Sequence, residues 1–492
     1  MQPTEEQILS EYRELVKARL SLNSELQELL DYLPDSEYEL ILYMASVKIW
    51  KGAVPPPPKD FKPGSGNVEL GMYLYWINNS NLLNLSEFTP EQQRNIKLLM
   101  MVMSGQMSKS LMTSVNYDFF KTNELIYSDG TVLSFEKYAD FDQGWVIAFL
   151  NLVETLLRDL WYNNSVFPTA TPVIPLKGAT AGKLSIAVLG DWGTGNNISQ
   201  AVMNKIVSLK PDYILHVGDT YYSGTPLATD PNGNYYYHAG EEQVNLLKQW
   251  PPVWYGRSFS INSNHEMYSG ANGLFITALR ANANPPGLGS PFSLQKGAGC
   301  FALTFADWTL FGLDSAYYGT VKDAFMSGSI GASNGTQSNF IRSLKPNPKK
   351  TMIFTHHNGF NYDCSGSTAL WAQVKGALGA DPYAWYWGHV HNGIVYKSPI
   401  TIPNAPPFPG FTTNAYCRCL GHAAIPYGPA SALNGKPLDW RATNPLPGKP
   451  KQLANGFAVL SFESTNNQVT NITERFYDIS TSQQPSWTKR IL

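Results

Sequence analysis

The chain is poor in charged residues and in long apolar runs, and each shortage excludes a class of protein. Charged residues make up 15% of the 492 positions, against about 25% in an average soluble protein. The formal net charge of −2 provides no basic face for nucleic acid or an anionic membrane. The most apolar runs, at 98–103 and 145–150, are far shorter than the roughly 20 residues of a membrane-spanning helix. We therefore expect neither a nucleic-acid partner nor a membrane span.

Cysteine is also scarce. Four cysteines in a chain of this length do not form a disulfide scaffold, and Cys417 and Cys419 lack the spacing of a zinc knuckle. The apolar fraction of 43% still predicts a globular protein with a sizeable core. The first residues, "MQPTEEQILSEYREL", lack the basic-then-apolar pattern of a signal peptide. The sequence leaves the compartment and the oligomeric state open.

Residues 1–165 have helical patterns and no histidine. A capping box at Thr4–Gln7 and a second helix-start signal at Thr89–Gln92 each precede apolar residues at helical spacing. A third helix is expected at about 144–160. These patterns predict an all-α N-terminal domain, for which the sequence indicates no chemistry.

The composition and the hydrophobic pattern of the sequence change after this region. A segment rich in Pro, Thr and Gly, residues 166–183, is predicted to be a linker. From 184 to 480, short β-rich runs alternate with segments of helix length. This alternation predicts an α/β domain with catalytic loops at the ends of its strands.

Polar residues with ligand chemistry follow five of the β-rich runs. They supply carboxylates, a phenol, an amide and imidazoles, whereas a single metal ion takes only four to six ligands. The supply suits two metal ions that share a bridging carboxylate, the arrangement that holds the attacking and leaving oxygens of a displacement at phosphorus. In chain order the residues are Asp191, Asp219, Tyr222, Asn264, His265, Glu266, His356, His357, His389 and His391.

The stretch "WYWGHVHNG" at 385–393 contains two of these imidazoles, His389 and His391. With one residue between them, two side chains of an extended segment fall on the same side. Gly388, which precedes them, allows the backbone to approach a neighbour closely. The turn could therefore present two imidazoles to two neighbouring ions.

Five sequence blocks, in this order, resemble the metallophosphoesterase (calcineurin-like) superfamily. They are Gly-Asp-x-Gly at 190–193, Gly-Asp-x-x-Tyr at 218–222, Asn-His-Glu at 264–266, the histidine pair at 356–357 and Gly-His-x-His at 388–391. The blocks are most similar to the purple acid phosphatases, because Gly193 stands where most of the superfamily has a ligand histidine and Tyr222 adds a phenol. Ser263 stands where the family usually has glycine. The resemblance covers about 184–480 and implies a four-layer αββα sandwich of two mixed sheets.

The resemblance also implies two metal sites. A phenolate is a hard ligand that suits Fe(III) better than Zn(II), so one site is expected to hold Fe(III) and the other a divalent ion, Fe, Zn or Mn. Asp219 is expected to bridge the two ions. The first ion would take Asp191, Asp219, Tyr222 and His391, and the second would take Asp219, Asn264, His356 and His389.

The activity that the resemblance implies is hydrolysis of a small phosphate monoester. A hydroxide held by the metals would attack phosphorus, and His265 would protonate the leaving oxygen. Glu266 is expected to orient His265. His357 is the alternative to His356 as a ligand, and His422 is a candidate for the substrate pocket. Two other functions stay open, a phosphodiesterase on the same metal core and a non-catalytic module that binds phosphate or metal.

Overall fold

The computed structural model describes residues 167–222, 241–319, 325–404, 410–425, 433–442, 453–479 and 484–492. It also describes the backbone of four short strands at 124–126, 132–134, 227–229 and 235–237. The chain divides into two compact units, one comprising 1–164, 227–237 and 321–324 and the other comprising the remaining residues.

The elements of the described residues are numbered in chain order. The strands are β1 (Glu124–Ile126), β2 (Val132–Ser134), β3 (Val173–Pro175), β4 (Lys183–Leu189), β5 (Tyr213–His216), β6 (Leu227–Thr229), β7 (Tyr235–Tyr237), β8 (Ser258–Ser260), β9 (Phe301–Phe305), β10 (Trp308–Gly312), β11 (Thr351–Thr355), β12 (Ala384–Trp387), β13 (Gly393–Tyr396), β14 (Ile400–Ile402), β15 (Phe411–Thr413), β16 (Tyr416–Leu420), β17 (Leu438–Arg441), β18 (Gly456–Thr465), β19 (Gln468–Asp478) and β20 (Trp487–Arg490).

The α-helices are α1 (Asn197–Leu209), α2 (Asn264–Met267), α3 (Thr336–Leu344) and α4 (Ala369–Leu378). Two π-helical turns span Glu242–Leu246 and Gly273–Ala278. Short 3₁₀ turns span Leu247–Gln249, Pro252–Trp254, Ser293–Gln295 and Pro348–Lys350. Among the described residues, no helix is both long enough and apolar enough to cross a membrane.

The first unit contains two antiparallel strand pairs, β1 with β2 and β6 with β7. The pair formed by β1 and β2 lies inside the region predicted to be all-α, so the structure does not support that prediction. The three helices predicted for this region lie outside the described residues.

The second unit contains two large sheets, both mixed. The eight-stranded sheet has the order β17-β13-β16-β12-β11-β10-β9-β3, and β10, β11, β12 and β16 run parallel. The six-stranded sheet has the order β20-β19-β18-β4-β5-β8, and β4, β5 and β8 run parallel. The central parallel strands β11 and β12 are buried at every position, which is why their sequences, "TMIFT" and "AWYW", are almost continuously apolar. Mixed sheets agree with the predicted α/β class.

The two sheets pack face to face. Phe305 on β9 and Phe462 on β18 have ring centroids 6.2 Å apart, and both belong to one buried apolar cluster that draws on both sheets. Alternate residues of a strand point to opposite faces of its sheet, so each sheet also has an outer face that points away from this core. On that outer face of the larger sheet, Trp371 of α4 stacks on Trp385 with centroids 4.9 Å apart. The helix therefore covers the sheet from outside, and the core lies between the sheets.

The two large sheets include strands on either side of residues 184–480. Strand β3 lies within the segment 166–183 predicted to be a linker, and it pairs parallel with β9. Strand β20 lies beyond residue 480 and pairs antiparallel with β19. Both edge strands therefore belong to the sheets, and only part of the Pro-rich segment connects elements.

Candidate metal centre

The carboxyl ends of parallel strands from both sheets meet at one place. Asp191, Asp219 and Asn264 follow β4, β5 and β8 of the six-stranded sheet, and His356 and His389 follow β11 and β12 of the eight-stranded sheet. His356 Nε2 lies 3.2 Å from Asp219 Oδ1, across the junction between the sheets. The predicted residues from the two sheets are thus brought into contact.

Three of these residues have backbone conformations that favour glycine. The φ angles of Asp191, Asp219 and His389 are 58°, 79° and 65°, which non-glycine residues rarely adopt outside sites where the conformation has a role. Gly388 is required by a close approach, because a Cβ atom there would lie 2.5 Å from Asp191 Oδ2. The His389 N–H donates to that same oxygen at 2.9 Å. The glycine of Gly-His-x-His thus allows the turn to hold the Asp191 carboxylate.

Asp219 lies at the middle of the centre, and its two carboxylate oxygens face different groups. Oδ1 faces His356 Nε2. Oδ2 accepts a hydrogen bond from the Tyr221 hydroxyl at 2.7 Å and lies 3.9 Å from His265 Nε2. Each oxygen therefore belongs to a separate cluster of polar atoms.

The cluster at Oδ1 contains Asn264, His356 and His389. Asn264 Oδ1 lies 2.8 Å from His356 Nε2 and 3.2 Å from His389 Nδ1. His356 Nδ1 faces the Val217 carbonyl oxygen at 2.9 Å, and because a carbonyl only accepts, this nitrogen carries the proton. His356 Nε2 then points a lone pair at the Asn264 oxygen, and two acceptors this close are stabilised by a cation between them.

The cluster at Oδ2 contains Asp191, Tyr221 and His391. The Tyr221 hydroxyl lies 3.1 Å from Asp191 Oδ1 and 2.9 Å from His391 Nε2, and His391 Nε2 lies 3.4 Å from Asp191 Oδ1. The phenol that faces these groups in the structure is that of Tyr221, the neighbour of the predicted Tyr222. The Tyr222 N–H donates to Glu241 Oε1 at 2.8 Å.

His265 lies beside both clusters. Its Nδ1 donates to the Tyr222 carbonyl oxygen, which leaves Nε2 as the atom that faces Asp219. The Glu266 carboxylate, predicted to orient His265, accepts a hydrogen bond from the Ser263 hydroxyl. Burial, and then the charge of Asp219, raise the pKa of Glu266 to about 8. A backbone carbonyl thus orients the His265 ring.

The remaining two predicted histidines have other surroundings. His357 Nε2 donates to the Phe325 carbonyl oxygen at 2.7 Å, and its Nδ1 accepts from the Ser315 hydroxyl at 2.9 Å. Nε2 carries the ring proton and the Nδ1 lone pair accepts from Ser315, so His357 has no lone pair left for a metal, in contrast to His356. The buried His422 ring packs against Gly393 and Gly456, at either of which a Cβ atom would lie within 3 Å of it.

Burial sets the protonation of the centre. It lowers the pKa of His356, His389 and His391, the last to about 4, so the imidazoles are neutral at neutral pH, as metal binding requires. Burial and the neighbouring Asp219 hold the pKa of Asp191 well above its usual range. Burial also favours the protonated form of Asp219, but His356 and His265 outweigh it and hold that pKa well below its usual range.

The ligand atoms of Asp191, Asp219 and His356 all lie within 4.8 Å of one another, a spacing that one metal ion could span. Carboxylate oxygens with imidazole nitrogens suit iron, zinc and manganese. The donor set therefore fits metal ions.

Comparison with known proteins supports this chemistry. Residues 184–393 match the family model described as calcineurin-like phosphoesterase. No curated protein matches the chain. The chain contains a calcineurin-like phosphoesterase domain with a candidate metal site, and this family indicates a metal-dependent hydrolase of phosphate esters.

Two solved structures show a distant likeness. GAP50, described as the anchor in the inner membrane complex of Plasmodium, is 12% identical over 63% of this chain and 88% of its own, with a TM-score of 0.40. A hypothetical protein from Thermus thermophilus is 12% identical over 60% of this chain and 99% of its own, with a TM-score of 0.28. Likenesses at this level carry no information about function.

Proposed function

We propose that the chain hydrolyses phosphate monoesters with two metal ions, in the manner of the purple acid phosphatases. The observation that carries the proposal is that the two carboxylate oxygens of Asp219 face two separate clusters of side chains with ligand chemistry. A carboxylate in this position can bridge two ions. A single-ion site would need only one of the clusters.

Each cluster would supply the ligands of one ion. Asp191, Asp219, Tyr221 and His391 would hold one ion, and Asp219, Asn264, His356 and His389 would hold the other. Burial, Asp191 and Asp219 hold the pKa of Tyr221 well above its usual range, so this phenol ionises only beside a strong positive charge. Fe(III) supplies such a charge and prefers hard anionic oxygens, which supports iron in the first site and a divalent ion in the second. When bound, two such ions would stabilise the charge of a phosphate ester and increase the acidity of water.

His265 is the proposed general acid. Nδ1 carries the proton that it donates to the Tyr222 carbonyl, so Nε2, on the side of Asp219, bears a transferable proton only in the imidazolium form. Burial lowers the pKa of His265, so acid pH favours this form. A phosphate bound between the clusters would bring its leaving oxygen to this nitrogen, which would donate the proton as the P–O bond breaks. His357 and Glu266 support the backbone around the site.

The test is to compare hydrolysis of p-nitrophenyl phosphate and bis-p-nitrophenyl phosphate by the metal-loaded chain, with the metal content measured. We expect two metals and faster turnover of the monoester. Asp219→Ala should lose both metal and activity, and His265→Ala should keep both metals but lose about 10²–10⁴-fold in rate. Faster turnover of the diester would indicate a phosphodiesterase. Two bound metals without turnover of either ester would indicate a binding module.

A further inference from the structure

The side-chain amide of Asn264 can bind a metal only when its oxygen, and not its nitrogen, faces the cluster of ligands. An amide nitrogen carries two protons, so it donates hydrogen bonds and offers no lone pair to a cation. Asn264 Oδ1 lies 2.8 Å from His356 Nε2 and 3.2 Å from His389 Nδ1, so Nδ2 points to the opposite side. The groups on that opposite side therefore decide whether the amide is correctly oriented.

Two side chains accept hydrogen bonds from the Asn264 nitrogen. Nδ2 donates to the Tyr268 hydroxyl at 3.1 Å and to Met326 Sδ at 3.7 Å. A hydroxyl can accept or donate, whereas a thioether sulfur only accepts. Together the two acceptors favour the NH2 group on this side and the oxygen on the side of the metal cluster.

The position of Tyr268 follows from the short helix that begins with Asn264. Helix α2 spans Asn264–Met267, and Tyr268 caps its C-terminal end with helical backbone angles, φ −62° and ψ −19°. Side chains four residues apart on a helix are neighbours, which places the Tyr268 hydroxyl beside the Asn264 amide. Both residues are buried, so bulk water does not replace this hydrogen bond.

Tyr268 also contacts the proposed general acid. Its ring centroid lies 5.1 Å from that of His265, in a tilted arrangement and within the range over which aromatic rings attract each other. The His265 ring is fixed at Nδ1 by the Tyr222 carbonyl oxygen, and the Tyr268 ring packs against it. One tyrosine therefore contacts both a metal ligand and the residue that would transfer the proton.

We propose that Tyr268 is a positioning residue, whose hydroxyl keeps the Asn264 oxygen toward the second ion and whose ring keeps His265 in place. Without the hydroxyl, a half-turn of the amide would let Nδ2 donate to the lone pair of His356 Nε2. The second ion, the one that Asn264 would bind, would then lose a ligand. This inference rests on the proposed two-metal function.

The test uses variants of the full chain, stripped of metal, reloaded with ferric iron and then titrated with Zn(II). Tyr268→Phe removes the hydroxyl and keeps the ring, and Tyr268→Leu removes both. The control is Tyr396→Phe, which removes another buried hydroxyl, one that donates to the Tyr362 carbonyl oxygen at 2.7 Å. The readouts are the zinc affinity in competition with a chelator and the kcat for p-nitrophenyl phosphate at saturating zinc.

We expect Tyr268→Phe to lower the zinc affinity about tenfold or more, as for other residues that orient metal ligands, and to leave kcat nearly unchanged once zinc saturates. Tyr268→Leu should show the same loss of affinity and also a kcat lower by up to about 10²-fold, because a displaced catalytic group slows the reaction. Tyr396→Phe should bind zinc normally. If Tyr268→Leu does not fold, Tyr268→Met, which fills more of the space, takes its place.

A double-mutant cycle separates orientation of the amide from a general loosening of the site. Asn264→Asp replaces the amide with a carboxylate, whose two oxygens are equivalent, so the hydroxyl no longer selects which atom faces the ion. Adding Tyr268→Phe to Asn264→Asp should therefore cost far less zinc affinity than adding it to the wild type. An equal cost in both backgrounds would overturn the orienting role.

The remaining outcomes separate the two proposals. A wild-type chain that binds fewer than two metal ions would overturn the proposed function and this inference with it. A wild-type chain with two ions, whose Tyr268→Phe variant binds zinc just as tightly, would overturn the role of the hydroxyl and leave the two-metal function intact. An unchanged kcat in Tyr268→Leu would overturn the role of the ring. An equal loss of zinc from Tyr396→Phe would overturn the inference as well, because any lost buried hydroxyl would then have the same effect.

Discussion

The ion pair between Arg418 and Glu474 predicts a large and specific loss of stability when one partner is removed. Arg418 lies on β16 of the eight-stranded sheet and Glu474 on β19 of the six-stranded sheet, and both are fully buried. Arg418 Nη2 donates to Glu474 Oε2 at 2.8 Å, and Arg418 Nε lies 3.0 Å from both carboxylate oxygens. The Tyr386 hydroxyl also donates to Glu474. The pair therefore joins the two sheets through the core.

A second pair provides a matched control. Lys489 Nζ on β20 and Asp439 Oδ2 on β17 also join the two sheets at 2.8 Å, but their side chains are 35% and 27% exposed. Removing one partner of a buried pair leaves an unpaired buried charge, which costs about 3–5 kcal/mol. An exposed pair of the same length contributes about 0–1 kcal/mol, because water screens it. Removing a partner should therefore cost far more stability in the buried pair than in the exposed pair, and burial is the reason for the difference.

The perturbations are Glu474→Leu and Arg418→Met, singly and together, beside Asp439→Ala as the control. Urea denaturation followed by tryptophan fluorescence measures the change in the free energy of unfolding. We expect each buried single variant to lose about 3–5 kcal/mol and the double variant to recover most of that loss, because it leaves no unpaired charge. A double variant that loses the sum of the two single losses would refute the reasoning, as would a control that loses as much as Glu474→Leu.

Three further predictions concern single positions. Burial raises the pKa of Asp314 to about 6, so the folded protein binds this proton more tightly than the unfolded chain does. The free energy of unfolding should therefore fall by about 3 kcal/mol as pH rises from about 4 to about 6. The urea midpoints of Asp314→Asn should lose this dependence on pH, and a variant whose midpoints vary with pH as those of the wild type do would contradict the assignment. His356→Ala should reduce the metal content from two ions to one by elemental analysis, whereas His357→Ala should keep both ions and lower only stability. Gly388→Ala would place a Cβ atom 2.5 Å from Asp191 Oδ2, so it should weaken metal binding about tenfold or more in a chelator competition. The control is Gly376→Ala in helix α4, where an added Cβ atom would have no neighbour within 4 Å. This variant should bind metal normally and gain up to about 1 kcal/mol in stability.

Much of the centre could be predicted from sequence because its residues follow strands that are easy to recognise. The runs "LSIAVL", "YILHV" and "TMIFT" are the strands β4, β5 and β11 within a residue or two, and the carboxyl ends of parallel strands meet at one edge of a sheet. The sequence pattern therefore predicted that Asp191 and Asp219 lie together. His356 follows β11 of the other sheet, and its place beside them was implied by the family resemblance. Strand β3 was missed because three residues beside prolines have no detectable period, and their pairing partner, β9, is distant in sequence.

The choice between adjacent residues could not be predicted in the same way. Tyr221 and Tyr222 have the same side chain, and only the spacing of the family pattern pointed to Tyr222, whereas the Tyr221 hydroxyl faces the carboxylates in the structure. The orienting partner of His265 is the backbone carbonyl of Tyr222, and a backbone carbonyl leaves no mark on a sequence. The two histidines at 356 and 357 differ in what their ring nitrogens face, which depends on residues far apart in the chain.

The donors of the centre divide by sheet. The six-stranded sheet supplies the oxygen atoms of Asp191, Asp219, Tyr221 and Asn264, and the eight-stranded sheet supplies the nitrogen atoms of the three histidines at 356, 389 and 391. Neither sheet carries both kinds of donor, so the centre is complete only while the sheets are packed together. Metal ions at this junction would bind the packed state and not the separated one, and would therefore stabilise the packing by mass action. The buried pair of Arg418 and Glu474 stabilises the same packing from the interior, and its loss should weaken metal binding although neither residue touches the centre.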